Sequence, residues 1–363
     1  WIPTGKPGMN TGVPTLPEYL KKSGFTTALV GKWHLGEQEE CHPQNRGFDE
    51  FFGFVGGGHT YLPNAGPKTH GEYGRPIQRN REPQEEKRYL TDAFGDEAAA
   101  FVKNRASNPK PFFLYLAFNA VHTPLEATET YLQRFPNITD KRRRTYAAML
   151  SAMDDNIGKV LKAIQDGGYE NNTLIYFISD NGGPITRNAP NASTNTPLRG
   201  GKGETWEGGI RVPFVLKWSG HLPAGVEFTQ PVTQMDITAS VLSLVEAKQD
   251  PKWPIDGVNL LPFLNEPAKA AAPHKDMMWE YGPQWAIRRG NWKLTYAWPA
   301  PKAPEPVLGL YDLSKDIGEE NDLSAQNPAL VEELKAEWQK WRKSLGDTPS
   351  AKSQRAEDVI NKP

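Results

Sequence analysis

The sequence is short of three things, and each shortage removes a class of protein. It has one cysteine, Cys41, among 363 residues. No disulfide can form within such a chain, and no Cys-rich zinc or iron–sulfur site can be built. It has no excess charge: 42 Lys and Arg stand against 43 Asp and Glu, for a formal net charge of −1. That balance creates no long-range field to gather DNA or RNA, so nucleic acid is not an expected partner. It has no apolar run near the ~18 residues of a membrane helix, so no membrane span is expected. It also opens Trp1-Ile2-Pro3, without a start Met or a basic-plus-apolar leader, as a processed product or a fragment would.

What is present reads as globular. Hydrophobic residues make up 37%, and the 33 Gly and 32 Pro mark a loop-rich chain below the ~25–30% Gly plus Pro of low-complexity sequences. The length suggests about two domains at ~150 residues each. Helices are predicted over 15–24, 91–105, 140–166, 234–245 and 329–345, and buried strands over 25–30, 111–118, 173–179 and 211–218. The longest helix carries apolar positions at Tyr146, Met149, Leu150, Met153, Ile157, Val160, Leu161 and Ile164. Residues 37–90 show little periodicity and read as functional surface or a lid. Residues 1–14 read as loop. Three short aromatic strands are predicted over 277–281, 285–289 and 292–297. The expected fold is α/β, with a mostly parallel (mixed) central sheet flanked by helices and a small C-terminal α+β domain of antiparallel strands and one long helix. A Pro/Ala stretch near 265–275 divides the chain into an α/β domain over 1–270 and a subdomain over 271–345, with 346–363 as a tail.

Three predicted strands end in polar clusters: Lys32/His34, His122 and Asp180/Asn181. Ligands of open α/β sheets bind beyond the carboxyl ends of the strands. Asp180 and Asn181 offer a carboxylate and an amide oxygen, hard donors suited to Ca²⁺ or Mg²⁺, but two donors fall short of the ~6–8 oxygens around Ca²⁺. Asp-Asn-Gly-Gly is equally good turn chemistry. Lys32 and His34, two apart in an extended segment, would share one side: a point charge for an anion and a group that moves protons near pH 7. A surface loop with Trp33 packed inward explains them as well. Lys202 lies in a glycine loop, Leu198-Arg199-Gly200-Gly201-Lys202-Gly203-Glu204, where backbone can approach a ligand closely. His59 follows three glycines and is a candidate pocket residue, while His42, His70, His221 and His274 read as surface. Asn137, Asn171 and Asn191 head glycosylation sequons.

Together these segments resemble the type I sulfatases of the alkaline phosphatase superfamily. The resemblance is carried by Gly31-Lys32-Trp33-His34-Leu35-Gly36, Asn45-Arg46-Gly47-Phe48-Asp49-Glu50-Phe51-Phe52-Gly53, Ala120-Val121-His122-Thr123-Pro124, Asp180-Asn181-Gly182-Gly183, Leu198 to Glu207 and Gly208-Gly209-Ile210-Arg211-Val212-Pro213. Tyr311-Asp312-Leu313 and Glu320-Asn321-Asp322-Leu323 are similar to the family's end domain. The order and approximate spacing hold over residues ~11–345. The resemblance implies an alkaline-phosphatase-like fold and hydrolysis of a sulfate ester, of a carbohydrate or aryl compound, at a Ca²⁺ (alternatively Mg²⁺) site. It makes Asp180 and Asn181 metal ligands, Lys32 and Lys202 clamps on the sulfate oxygens, His122 the general acid at the leaving oxygen and His34 a base. It also implies a periplasmic or secreted location.

One departure is large. The family's nucleophile is a formylglycine made from Cys or Ser within Cys/Ser-x-Pro-x-Arg, upstream of the Lys-x-His motif, and no such motif is present. In Cys41-His42-Pro43-Gln44-Asn45-Arg46 the Arg is one place late, inside a segment that matches another part of the family. Two further metal-binding aspartates of the family are also missing. The expectation is a sulfatase shortened upstream of its nucleophile and inactive alone. A phosphodiesterase or phosphonate hydrolase of the same superfamily, and a non-catalytic module that binds sulfated glycans, are the competing readings. The 11 Trp, 12 Tyr and 15 Phe suit sugar stacking and core packing alike. Specificity is expected from residues 53–90 and from the C-terminal domain. The sequence carries nothing on oligomeric state.

Overall fold

The computed structural model describes residues 8–63, 75–107, 110–185, 191–266, 270–300 and 303–346. His70 and the tail from 347 onward lie outside them. Two compact units are present. The first comprises Trp1–Ile175, Lys217–Ala224 and Gln234–Leu261; the second comprises Tyr176–Leu216, Gly225–Thr233 and Pro262–Pro363. The Pro/Ala stretch near 270 falls within the second.

The first unit is organised by a mixed five-stranded sheet. Strand β1 (Thr26–Lys32) pairs in parallel with β2 (Glu50–Phe54) on one side and with β5 (Phe112–Ala117) on the other. Strands β3 (Ile77–Arg79) and β4 (Glu82–Gln84) extend it antiparallel beyond β2. Continuous apolar, β-branched residues make β1 a central strand, and Leu29 is fully buried. Gly31 and Gly53 are register partners. A Cβ on Gly53 would lie 1.9 Å from the Gly31 carbonyl oxygen, and one on Gly31 would lie 2.0 Å from the Ala117 carbonyl oxygen. Glycine alone allows backbones to close up in this way at the carboxyl ends of three strands.

Helices cover the sheet. Helix α1 (Leu16–Lys22) starts at a reciprocal cap between Thr15 and Glu18, which satisfies two orphan donors of its first turn. Helix α2 (Leu90–Lys103) packs on the sheet through Phe94, Ala98 and Val102 together with Phe52 and Phe54. Helix α4 (Lys141–Asp166), capped by Asp140, follows the short α3 (Glu129–Leu132). It turns Ala148, Met149, Ala152, Val160 and Ile164 inward, whereas Leu150 and Leu161 of the expected apolar stripe are exposed. Asn156, wholly buried, takes their place. It donates to Asp92 at 2.7 Å and to the Ala152 carbonyl at 2.8 Å.

Two sheets lie outside that first one. Strands β6 (Ile175–Ile178) and β7 (Phe214–Lys217) form a separate pair, followed in the chain by α6 (Met235–Leu244) and α7 (Leu261–Leu264). Between the two strands lies the four-residue α5 (Glu207–Ile210). The end of the chain forms a wholly antiparallel sheet in the order β11-β10-β9-β8, from β8 (Met277–Tyr281), β9 (Gln284–Arg289), β10 (Trp292–Ala297) and β11 (Val307–Asp312). Helix α8 (Pro328–Ser344) packs on it through Val331, Leu334 and Trp338, with the Trp338 ring stacked on Trp285 at 4.6 Å. The expected classes of sheet and the C-terminal α+β arrangement are present. Four strands were not expected: β2, β3 and β4 in the aperiodic stretch 37–90, and β11.

Candidate active site

Three parallel strands set the geometry of the first unit. Strands β1, β2 and β5 run in one direction, so the residues just past them share one sheet edge. Lys32 is the last residue of β1, in register with Phe54. The chain then stays beside β2, as Trp33 and His34 donate their N–H groups to Phe54 and Val55 at 3.0 and 3.1 Å. The expectation that Lys32 and His34 extend side by side does not hold. The strand ends at Lys32, and His34 takes a left-handed φ of 56°, so period-two alternation stops between them. Lys32 is half-buried and His34 exposed. Trp33 does pack inward, against Phe48.

His59 follows β2 and His122 follows β5, and both rings are fixed in the same way. The Nδ1 of His59 lies 2.7 Å from the Thr60 carbonyl oxygen, and the Nδ1 of His122 lies 2.8 Å from that of Thr123. A carbonyl can only accept, so Nδ1 carries the hydrogen in each ring and Nε2 is the nitrogen that gains or loses a proton. The two segments are tied together. Tyr61 Oη reaches the carbonyl oxygens of Asn119 and His122 at 2.6 and 2.9 Å, and Asn119 Nδ2 donates to the His59 carbonyl at 3.4 Å. A cavity of about 270 Å³ borders His59 and Tyr61, with Arg75 and Arg88 in its wall. Arg75 pairs with Glu37, and Arg88 with Glu86 and Glu97.

The second unit holds the other three predicted residues. Asp180 and Asn181 follow β6, Asp180 exposed and Asn181 half-buried. Their turn is packed against the glycine loop. Gly182 donates to the Gly209 carbonyl at 3.0 Å, and a Cβ on Gly182 would fall 1.7 Å from the Gly208 carbonyl oxygen. Asn195 joins the two segments: its Oδ1 accepts from Gly183 N, and its Nδ2 donates to the carbonyls of Gly183 and Gly200. Lys202 N donates to the Gly183 carbonyl at 3.3 Å, and its side chain is exposed. Lys202 and Asp180-Asn181 therefore belong to one loop cluster. Asp180 and Asn181 suit a hard cation as donors, yet among the described residues no group of three or more His, Cys, Asp or Glu could hold a metal ion. The two oxygens remain short of the ~6–8 that Ca²⁺ takes.

A buried charge network anchors this loop and was not foreseen. Lys293, on β10, is wholly buried between Glu207 at 2.9 Å and Glu319 at 2.7 Å. Glu319 also accepts the Glu207 backbone N–H at 2.7 Å, and Arg288 lies 3.5 Å from Glu207. Burial works to raise the Glu207 carboxyl, but Lys293 and Arg288 beside it hold it below the ordinary value. Glu319, buried and beside Glu207, is raised. Arg199 stacks over Trp206 at 3.8 Å and donates to the Glu319 carbonyl. A Lys within the aromatic strand Trp292-Lys293-Leu294 was the available signal, because a charge in a strand buried on both faces needs a partner.

The remaining cysteine and histidines play other parts. Cys41 is buried at the end of a short 3₁₀ helix, its Sγ 3.8 Å from the Met9 carbonyl oxygen. His42 was expected at the surface but is buried. It packs edge-on to Phe51, bonds Gln78, and burial lowers its pKa. His221 is exposed and stacked on Trp218 at 4.1 Å, and His274 is half-buried. Asn191 is also buried, its Oδ1 accepting from Ser193, which leaves that sequon inaccessible.

Comparison with known proteins fixes the class. A family model, Sulfatase, matches residues 3–247, and the chain belongs to that family, the type I sulfatases of the alkaline phosphatase superfamily. It is 37% identical to mouse N-acetylgalactosamine-6-sulfatase over 267 residues, covering 70% of this chain and 50% of that protein. It is 31% identical to mouse arylsulfatase J over 373 residues, covering 88% and 60%. The chain thus spans about half the length of the curated relatives it matches. Among solved structures it is similar to Ps i-CgsB in complex with k-i-k-neocarrahexaose, with a TM-score of 0.85 at 36% identity, covering 97% of this chain and 79% of that one.

Proposed function

We propose that the protein hydrolyses the sulfate ester of a sulfated carbohydrate. One observation carries the reading. In a chain that matches the Sulfatase family over residues 3–247, Lys32 ends one of three adjacent parallel strands, and His34, His59 and His122 follow them at their carboxyl ends. In this reading Lys32 and Lys202 hold the nonbridging sulfate oxygens, whose charge grows in the transition state. His122 gives the proton on Nε2 to the bridging oxygen as its bond to sulfur breaks, so the sugar leaves as an alcohol. Its Nδ1–H, held by the Thr123 carbonyl, fixes the ring for that transfer. His34 takes a proton in the step that frees sulfate, and His59 lines the substrate site. Asp180 and Asn181 would supply two of the oxygens that hold Ca²⁺, or Mg²⁺. That ion would contribute positive charge at the sulfate oxygens, and a formylglycine the attacking oxygen. One relative is named N-acetylgalactosamine-6-sulfatase and one similar structure holds a neocarrahexaose, which supports a sulfated galactose-type sugar as substrate. A periplasmic or secreted location fits such a polymer, and no helix among the described residues is long and apolar enough to cross a membrane.

The test is release of sulfate by the full-length protein from sulfated galactose oligosaccharides and from 4-nitrophenyl sulfate, with bis(4-nitrophenyl) phosphate as the competing substrate. His122→Ala should lower kcat by about 10²–10⁴-fold with little change in KM. Lys202→Ala should impair both, because it removes a charge that meets the anion in ground and transition states. Faster turnover of the phosphate diester would reassign the enzyme. An unchanged kcat in His122→Ala would remove that residue from the acid role.

A further inference from the structure

We infer that Tyr281 is a platform on which a sugar ring of the substrate stacks while Lys202 holds its sulfate. The inference deepens the proposed function and rests on its reading of Lys202. Tyr281 ends β8 and is 63% exposed, the highest value among the large hydrophobic residues described. Exposure alone would mean little, since single exposed aromatics are common on surfaces. Its setting is what matters. A Cβ on Gly203 would meet the Tyr281 ring at 3.5 Å, at Cε1, and its Oη at 3.9 Å, so the ring lies alongside the residue that follows Lys202.

The placement is enforced. Gln284 is the register partner of Tyr281 across the β8–β9 turn, and its Nε2 donates to the Gly203 carbonyl at 2.9 Å. The Gln284 side chain is only 3% exposed, and its Oε1 has no hydrogen-bond partner among the described residues. The turn bearing the aromatic ring and the loop bearing the ammonium are therefore joined by a buried amide. Gly203 has a φ of 84° and no side chain, which leaves the space beside the ring open. Several other aromatics of this sheet pack into its core: Trp285 stacks on Trp338 and on Tyr296, and Trp292 lies against the same cluster. Tyr281 takes part in no ring pair among the described residues. An exposed aromatic ring beside the loop that carries an exposed lysine suits a ligand with an apolar C–H face and an anionic substituent, which is the chemistry of a sulfated sugar ring.

The experiment is calorimetric titration of the full-length protein with a sulfated galactose hexasaccharide and with inorganic sulfate. Tyr281→Ala should weaken hexasaccharide binding about tenfold, and Tyr281→Phe, which keeps the ring, should stay within about twofold of the parent. Neither should alter the affinity for inorganic sulfate. Lys202→Ala should weaken both ligands. Unchanged hexasaccharide affinity in Tyr281→Ala, with Lys202→Ala impaired, overturns the platform and leaves the reading of Lys202 standing. The reverse pattern keeps the platform and removes Lys202. Equal weakening by Ala and Phe also overturns it, because the ring itself would then carry no affinity. No binding by the unsubstituted protein overturns both.

Discussion

In the first unit, the candidate side chains are placed by sheet register and neutral hydrogen bonds: His59 and His122 each use the next carbonyl in the chain, and Tyr61 Oη joins their segments across 61 residues. In the second unit, the loop of Lys202 is placed by contacts far apart in sequence. A charged trio, Glu207, Lys293 and Glu319, is sealed inside the protein. The contrast has an energetic side. Losing a neutral hydrogen bond costs little beyond the desolvation of the orphaned group, whereas losing one member of a buried ion cluster strands the others in low dielectric. The first arrangement tolerates damage and the second does not.

Lys293→Met is the strongest way to probe that contrast. It leaves two carboxylates buried, and the expected loss is about 3–5 kcal/mol in urea unfolding. A loss below ~1 kcal/mol, the level of an exposed pair, would show that the network is not what anchors the loop. Tyr61→Phe is the matching change in the first unit. It removes the hydroxyl shared by the Asn119 and His122 carbonyls, at a cost of about 1–3 kcal/mol. It should also lower kcat while leaving KM in place, because His122 loses its positioning rather than its ligand. A rise in KM alone would contradict that.

The smallest effect is a pH-dependent one. Burial raises the Glu204 carboxyl above its ordinary value, against the opposing pull of the Gly201 N–H and Arg199. An acid whose folded value is raised costs nothing below its unfolded value, and its charge costs stability as pH climbs through the folded one. Glu204→Gln keeps an acceptor for Gly201 and removes that charge. It should stabilise the protein at pH 7 by on the order of a few tenths of a kcal/mol, once solvent screening is allowed for. The gain should vanish near pH 4. Equal melting shifts at both pH values would rule out the carboxylate as their source.

Much of this was legible in the sequence because it was local. Continuous apolar runs located β1 and β5, helical patterns located α2 and α4, and punctuation after apolar runs located the clusters at Lys32, His122 and Asp180. What escaped was short or non-local. Strands β3 and β4 have three residues each, and Pro83 sits inside β4, so neither has room to show a period. Gly309 and the prolines before it disguised β11. The buried trio draws on three separate segments, and no spacing rule links Glu207 to Lys293 or Glu319. His34 was misjudged because a single left-handed residue breaks the alternation from which its direction was inferred.

Strand β5 carries a consequence for handling the protein. Among the described residues it pairs only with β1, none of its six residues Phe112–Ala117 is fully buried, and Tyr115 is 46% exposed. An uncharged, proline-free hexapeptide that ends the strand order of its sheet among the described residues can act as a template for another chain's strand. Solubility of this chain by itself should accordingly fall with concentration before it falls with heat. A lysine at Tyr115 should be the cheapest remedy for precipitation.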